Sequence, residues 1–292
     1  MAEKDIAEKL LEDYNDVFAD IANVLLFDGE ESINPDSLEK AQERSAYTAD
    51  KGFREQERDI AKYWKNGNVT ISFFGIGNQS NVDSDSALRV MGYDGAAYRA
   101  QLYTEKDEKG NYVRNKNPRY PVITMILYFG SGNWTAPKNL KDCLNIPKGL
   151  EPYVSDYSIN VFEIRKLSRE QVDKFKSDFW VVADYFYQVE HNKDYVPSTK
   201  KMKHVEEVMR LLSALTNDNR YEVAFYEANQ EGNGDSMDPI VDKIEKRGMI
   251  IGTVNTLFDM NVPLNEIESR IMSKYHLDRE TADKYVKECT KV

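Results

Sequence analysis

The dipeptide Asn66-Gly67, followed directly by the apolar run Val69–Ile76 (VTISFFGI), constrains this chain more than any other stretch. A two-residue type I′ turn needs positive φ at both central positions, which Asn and Gly tolerate, so the pair marks a β-hairpin. The segment before it (REQERDIAKYWK, 54–65) is compatible with helix or strand on local propensity alone. The turn decides the matter, and predicts a strand over about 58–65 paired with 69–76.

Other elements follow from hydrophobic spacing. Ile6, Leu10, Leu11, Tyr14, Val17, Phe18, Ile21, Val24 and Leu25 predict one long amphipathic helix over 3–27, ending at Asp28-Gly29. A short helix is expected near 35–44, and another over 86–104. The charged tract TEKDEKGNYVRNKNPR (104–119) reads as a solvated loop. Strands are expected at 120–130 and 157–164. Ser168 then caps a helix of about 169–190. Helices follow over 200–216, 219–229, 238–259, 263–275 and 278–290, with the Gly-Asn-Gly break at 232–234 read as a connector. Helix, strand, strand, helix, strand, strand points to a mixed α/β layer, and the last third to an all-helical region.

Composition narrows the chemistry. Two cysteines far apart suit a reducing cytoplasm and leave no sulfur-based metal site. His191, His204 and His276 sit on separate predicted helices, which speaks against a zinc site or a Ser-His-Asp triad. No phosphate-binding glycine loop follows a strand, no apolar run is long enough to span a bilayer, and the acidic amphipathic start is unlike a targeting peptide. The net charge is −11, with 17 acids against 7 bases in residues 1–60. That balance argues against indiscriminate nucleic-acid binding but leaves room for a local basic groove.

Carboxylates and amides remain. Asp59 on the first hairpin strand falls near residues 75–77 of the second, and residues 77 and 79 share a face because strand side chains alternate. A hard cation such as Mg²⁺ needs converging carboxylate and carbonyl oxygens, and metal-assisted phosphodiester cleavage needs little more. From the bare pattern, a surface acid at Asp59 and a plain strand end at Gln79 are the more economical reading. Arg99, on the helix after the hairpin, is a candidate phosphate contact. The lysines of 106–119 and 193–203 read more simply as solvated loops. The helix pair 263–275 and 278–290 is acidic, which favours an interaction or capping element over DNA reading.

The order of motifs adds to this. The stretches DYNDVFADIANVLLFDGE (13–30), REQERDIAKYWKNGNVTISFFGIGNQ (54–79), LRVMGYDGAAYRAQL (88–102), RYPVITMILYFGSGNW (119–134), INVFEI (159–164) and RGMIIGTVNTLFDM (247–260) resemble the recombination-promoting nuclease and putative transposase family of the PD-(D/E)XK nuclease superfamily. The resemblance covers nearly the whole chain. It implies a restriction-endonuclease-like mixed sheet flanked by helices over 1–190, and a helical C-terminal region over 191–292. It implies a Mg²⁺- or Mn²⁺-dependent DNA endonuclease in which Asp59 holds the metal and Gln79 takes the last position of a Glu-x-Gln motif. Asp16 on the opening helix matches a further acid. Position 77 departs from the pattern, because relatives carry Glu where this chain has Gly77. Losing one of two metal carboxylates weakens binding severely, since affinity follows ligand charge and number. The resemblance thus implies either an impaired endonuclease or an inactive nuclease-fold protein that binds DNA or a protein partner. A helical interaction protein, assembling as a homo-oligomer through its C-terminal region, is a third expectation.

Overall fold

The computed structural model describes residues 11–41, 44–49, 52–57, 60–106, 109, 111–114, 117–192 and 195–290. Two compact units result: Met1–Val196 with Arg210–Asn217, and Pro197–Met209 with Asp218–Val292.

The first unit is built on a five-stranded sheet of order β1-β4-β5-β8-β9, comprising β1 (Leu38–Lys40), β4 (Ile60–Asn66), β5 (Val69–Gln79), β8 (Val122–Tyr128) and β9 (Asn160–Glu163). β4 and β5 form the expected antiparallel hairpin, whereas β8 and β9 run parallel to β5. The turn sits one residue later than the sequence suggests, because Asn66 pairs with Val69 and the loop is Gly67-Asn68. Of those two only Gly67 has positive φ, 59°. That is the pattern of a type II′ turn, with glycine first, rather than type I′. A bulge between Trp64 and Lys65 absorbs the offset.

Helix α1 (Asn15–Phe27) packs on one face of this sheet and α2 (Ser86–Ala100) on the other. On the α1 face the almost fully buried Lys62 donates to the Asp13 carboxylate at 2.9 Å and to its backbone oxygen at 2.6 Å. This contact explains why the expected 3–27 helix is interrupted. The Asp13 carbonyl is taken by Lys62, and Tyr14 is extended at the N-cap of α1 (ψ 131°). Burial alone would push the Asp13 carboxyl up, but hydrogen bonds from Lys40 and Lys62 outweigh it and hold it below the usual carboxylate range. Asn15 donates to the carbonyls of Pro35 and Leu38, tying the start of α1 to β1. The short helix expected at 35–44 is instead a 3-10 turn at Pro35–Ser37 leading into β1.

On the α2 face, Phe73, Ala61, Val122 and Ala41 make one apolar cluster with Tyr63, Ala97 and Tyr120. Ala87, Val90, Ile126, Tyr128, Trp134 and Ile159 make another. Asp94 of α2, buried, accepts from the Thr124 hydroxyl of β8 at 2.6 Å. The helix expected over 169–190 is two, α3 (Arg169–Lys174) and α4 (Phe179–His191). Between them the N–H groups of Lys176 and Ser177 donate to the buried Asp20 of α1, at 2.9 and 2.7 Å. A carboxylate taking two backbone donors stabilises a turn there and stops the helix from running through. Two small hairpins lie outside the main sheet: β2 (Arg44–Ala49) with β3 (Gly52–Glu57), and β6 (Thr104–Lys106) with β7 (Tyr112–Arg114). The second of these falls in the tract read as a loop.

The second unit is helical, as expected for the C-terminal region. α5 (Val205–Thr216) straddles the division between the units, and α6 (Arg220–Gln230), α7 (Met237–Asp259), α8 (Leu264–Tyr275) and α9 (Arg279–Thr290) lie within the second. The last three close around Ile250, Val254, Ile267, Ile271, Ala282 and Val286. Among the described residues no helix is long and apolar enough to cross a membrane. The mixed sheet with helices on both faces and a helical C-terminal region is the restriction-endonuclease-like architecture.

Candidate active site

The exits of the parallel strands β5 and β8 lie side by side, Gly77 opposite Ile126, Asn78 opposite Leu127 and Gln79 opposite Tyr128. The first residue of β4, Ile60, pairs with Ile76 at the same end. In open α/β sheets, ligands bind outside the carboxyl ends of the parallel strands, so this end is the one to inspect.

Alternation sends neighbouring residues of β5 in opposite directions. Asn78 points to the α1 face, where its amide donates to the Glu12 carboxylate at 2.7 Å. Glu12 is fully buried. Gly77 and Gln79 face α2, and the Gln79 side-chain oxygen accepts from the buried Ser86 hydroxyl over a long 3.4 Å. Ser86 opens α2, so one helix start and one strand end meet at Gln79. Gly77 has no positive φ. A Cβ placed on it would find no atom within 4 Å. Neither backbone conformation nor packing calls for glycine at this position.

The neighbouring exit is closed. Tyr128 packs edge-on against Trp134, with ring centroids 5.3 Å apart. Its hydroxyl lies where a Cβ of Gly130 would be, 2.1 Å from that point, so glycine is required there by close approach. The Phe129 N–H donates to the Gln79 carbonyl at 2.8 Å, which couples the two exits through the main chain. Trp134 N–H donates to Glu163 at the end of β9, at 2.8 Å.

Gly77 and Gln79 share one face, as alternation requires. Asp59 lies outside the described residues. Asp16 stands in the first turn of α1, half-buried, with its carboxylate accepting from the Val17 N–H at 3.2 Å. Glu12, which sequence reasoning did not single out, is the acid hydrogen-bonded to β5. Its signal was a charge next to Leu11 inside an apolar helical pattern. Arg99 is exposed in the last turn of α2, about 20 Å of helix away from Ser86, and is not brought to the strand exits. Of the other acids flanking the hairpin in sequence, Asp83 is paired with Arg89 at 2.5 Å and accepts from the Asp85 N–H. Asp85 is exposed ahead of α2. Glu57 closes β3, paired in register with Arg44.

Among the described residues, no three His, Cys, Asp or Glu side chains converge to hold a metal ion. Gly77 contributes no side-chain oxygen, and the expected ligand Asp59 lies outside the described residues. No curated protein and no solved structure matches the chain. Residues 38–221, more than half of the chain, match the family model described as putative transposase, YhgA-like. The chain therefore belongs to the YhgA-like putative transposase family, within the PD-(D/E)XK nuclease-like superfamily.

Proposed function

We propose that this protein binds DNA at the exits of β5 and β8 and that its phosphodiester-cleaving site is impaired at Gly77. One observation carries the reading. The strand position where relatives place a metal-binding Glu is extended, open on its α2 side, and occupied by a residue the fold does not need there. Asp59 would hold Mg²⁺ or Mn²⁺, and Gln79 would orient a water or the scissile phosphate. With one carboxylate missing, the metal binds weakly or not at all. A second reading rests on the same gap: a catalytically inactive nuclease fold kept for binding DNA or a protein partner. Work in a reducing cytoplasm fits the two free cysteines, Cys143 and Cys289.

The deciding experiment pairs a DNA cleavage assay with Mg²⁺ titration, on this chain and on Gly77→Glu. Little or no cleavage is expected from the chain itself. Gly77→Glu is expected to gain metal binding and cleavage, and to lose cleavage again when combined with Asp59→Ala. Efficient cutting with Gly77 in place would overturn the impairment. A Gly77→Glu variant that folds but binds no metal would overturn the assignment of the site.

A further inference from the structure

Directly after β9, Arg165 occupies a place that its packing alone does not account for. Its Nε donates to the Phe129 carbonyl at 2.7 Å, and its guanidinium lies 4.3 Å from the centre of the Phe186 ring. These two contacts fix the plane of the group and leave the terminal nitrogens over. Among the described residues those nitrogens have no hydrogen-bond partner, and no carboxylate lies within salt-bridge distance of the group. The acid that acts on it, Glu190, is itself paired with Lys166. Burial pulls the Arg165 pKa down, with Glu190 pulling the other way. The side chain is half-buried. Among the described residues, the one acid that acts on this partly desolvated cation is shared with Lys166 and makes no direct pair with it, so an anion arriving from outside would stabilise the group.

Its position is what gives the anion a name. β9 neighbours β8, and β8 neighbours β5, so two strand spacings, about 10 Å, separate the backbone of β9 from that of β5. The Arg165 side chain already spans the first of these, since it bonds Phe129. The Phe129 N–H in turn bonds the Gln79 carbonyl. With Nε–H engaged, the edge formed by the two terminal nitrogens remains, and that planar fork matches a pair of phosphate oxygens better than it matches any single-point acceptor.

We propose that Arg165 is a phosphate-contact residue, holding a backbone phosphate of DNA laid across the exits of β5, β8 and β9, beside the one that would face Gly77 and Gln79. The inference rests on the DNA-binding reading given above and names the group that positions the strand. It does not depend on whether the chain cuts.

The test is equilibrium binding of a labelled DNA duplex, followed by anisotropy over a salt series, for the full chain and three variants. Arg165→Met is expected to weaken binding about tenfold at low salt. It should also reduce the slope of log affinity against log salt by about 0.9, the loss of one neutralised phosphate. Arg165→Lys should keep the slope while losing part of the affinity, because the charge stays and the fork goes. Arg165→Gln, which can still donate to Phe129, should change the slope as Met does, which separates lost charge from lost packing. An unchanged slope in folded Arg165→Met and Arg165→Gln would overturn the role of Arg165 while leaving DNA binding intact. A chain that binds no duplex even at low salt would overturn the DNA-binding reading, and this inference with it.

Discussion

β5 and β8 are hydrogen-bonded parallel neighbours that end at the same level, yet their exits are built in opposite ways. The exit of β8 is filled. Tyr128 lies over Gly130 and against Trp134, while Phe129 packs on Phe186 with ring centroids 5.5 Å apart. The exit of β5 is open on its α2 side, with Gly77 facing empty space and the Gln79 side chain held by one long hydrogen bond. Both carry a glycine where the strand ends, but for unlike reasons. At 130 the glycine is demanded by a ring; at 77 nothing demands it. One exit secures the sheet, and the other has the form of a site.

The largest way to break the contrast is to empty the filled exit. Tyr128 is almost fully buried, and removing such a ring from a core costs roughly 3–5 kcal/mol. Tyr128→Ala should therefore lower stability by that amount in urea denaturation. The same truncation should make position 130 indifferent to a methyl group, so Tyr128→Ala/Gly130→Ala should cost no more than Tyr128→Ala alone. Simple addition of the two single effects would show that the ring is not what requires Gly130.

The underside of β5 provides the second test. Asn78, between the two open positions, donates to the buried Glu12. A hydrogen bond to a charged group is worth about 1.5–3 kcal/mol, and its loss strands part of a buried carboxylate. Asn78→Ala is expected to destabilise the fold by about 2 kcal/mol, measured as a lower denaturation midpoint at unchanged slope. A neutral outcome would mean that β5 is no better anchored on its α1 face than on its α2 face.

These contrasts show which parts of the fold were legible in the residues. The hairpin was, because Asn66-Gly67 sits between two strand-compatible runs; only its frame was off, since the bulge at Trp64 and the glycine-first turn shift the loop by one residue. β8, β9 and the C-terminal helices were legible because their apolar periods are strong. The two broken helices were not. Their periodicity is continuous, and what breaks them is tertiary: Lys62 takes the Asp13 carbonyl, and Asp20 captures the N–H groups of Lys176 and Ser177. β1 and the small hairpins are short, polar strands with no alternation to betray them. In the site, the shared face of 77 and 79 followed from strand geometry alone. Glu12, Ser86 and Arg165 did not, because each is brought in by packing between elements far apart in sequence.

A third and smaller effect belongs to Gly130. A Cβ there would stand 2.1 Å from the Tyr128 hydroxyl and 2.3 Å from the ring carbon bearing it. Tyr128 is wedged against Trp134, so the ring has little freedom to give way. Overpacking of this kind costs about 1–3 kcal/mol. Gly130→Ala should cost about 1–2 kcal/mol, since the Tyr128 ring has to shift but no backbone atom does. Restored stability in a Gly130→Ala chain whose Trp134 is replaced by a smaller residue would locate the strain in that wedge.

The smallest effect, and the one of opposite sign, is expected at Gly77. Glycine in a strand costs roughly 0.5–1 kcal/mol relative to alanine, because the unfolded chain has more freedom to lose. Gly77 is not in the left-handed region, and its Cβ would enter open space. Gly77→Ala should thus raise stability by about 0.5 kcal/mol, while Gly130→Ala, at the end of the next strand, lowers it. Thermal or urea melts of the two variants side by side would read the difference directly. If Gly77→Ala proves destabilising, the α2 side of β5 is more tightly packed than the structure has it, and a glutamate could not be accommodated there either. If it stabilises as expected, position 77 is a place where the fold itself would be better served by another residue. Glycine would then be kept for some reason other than stability, and the open face of β5 becomes the place to look for it.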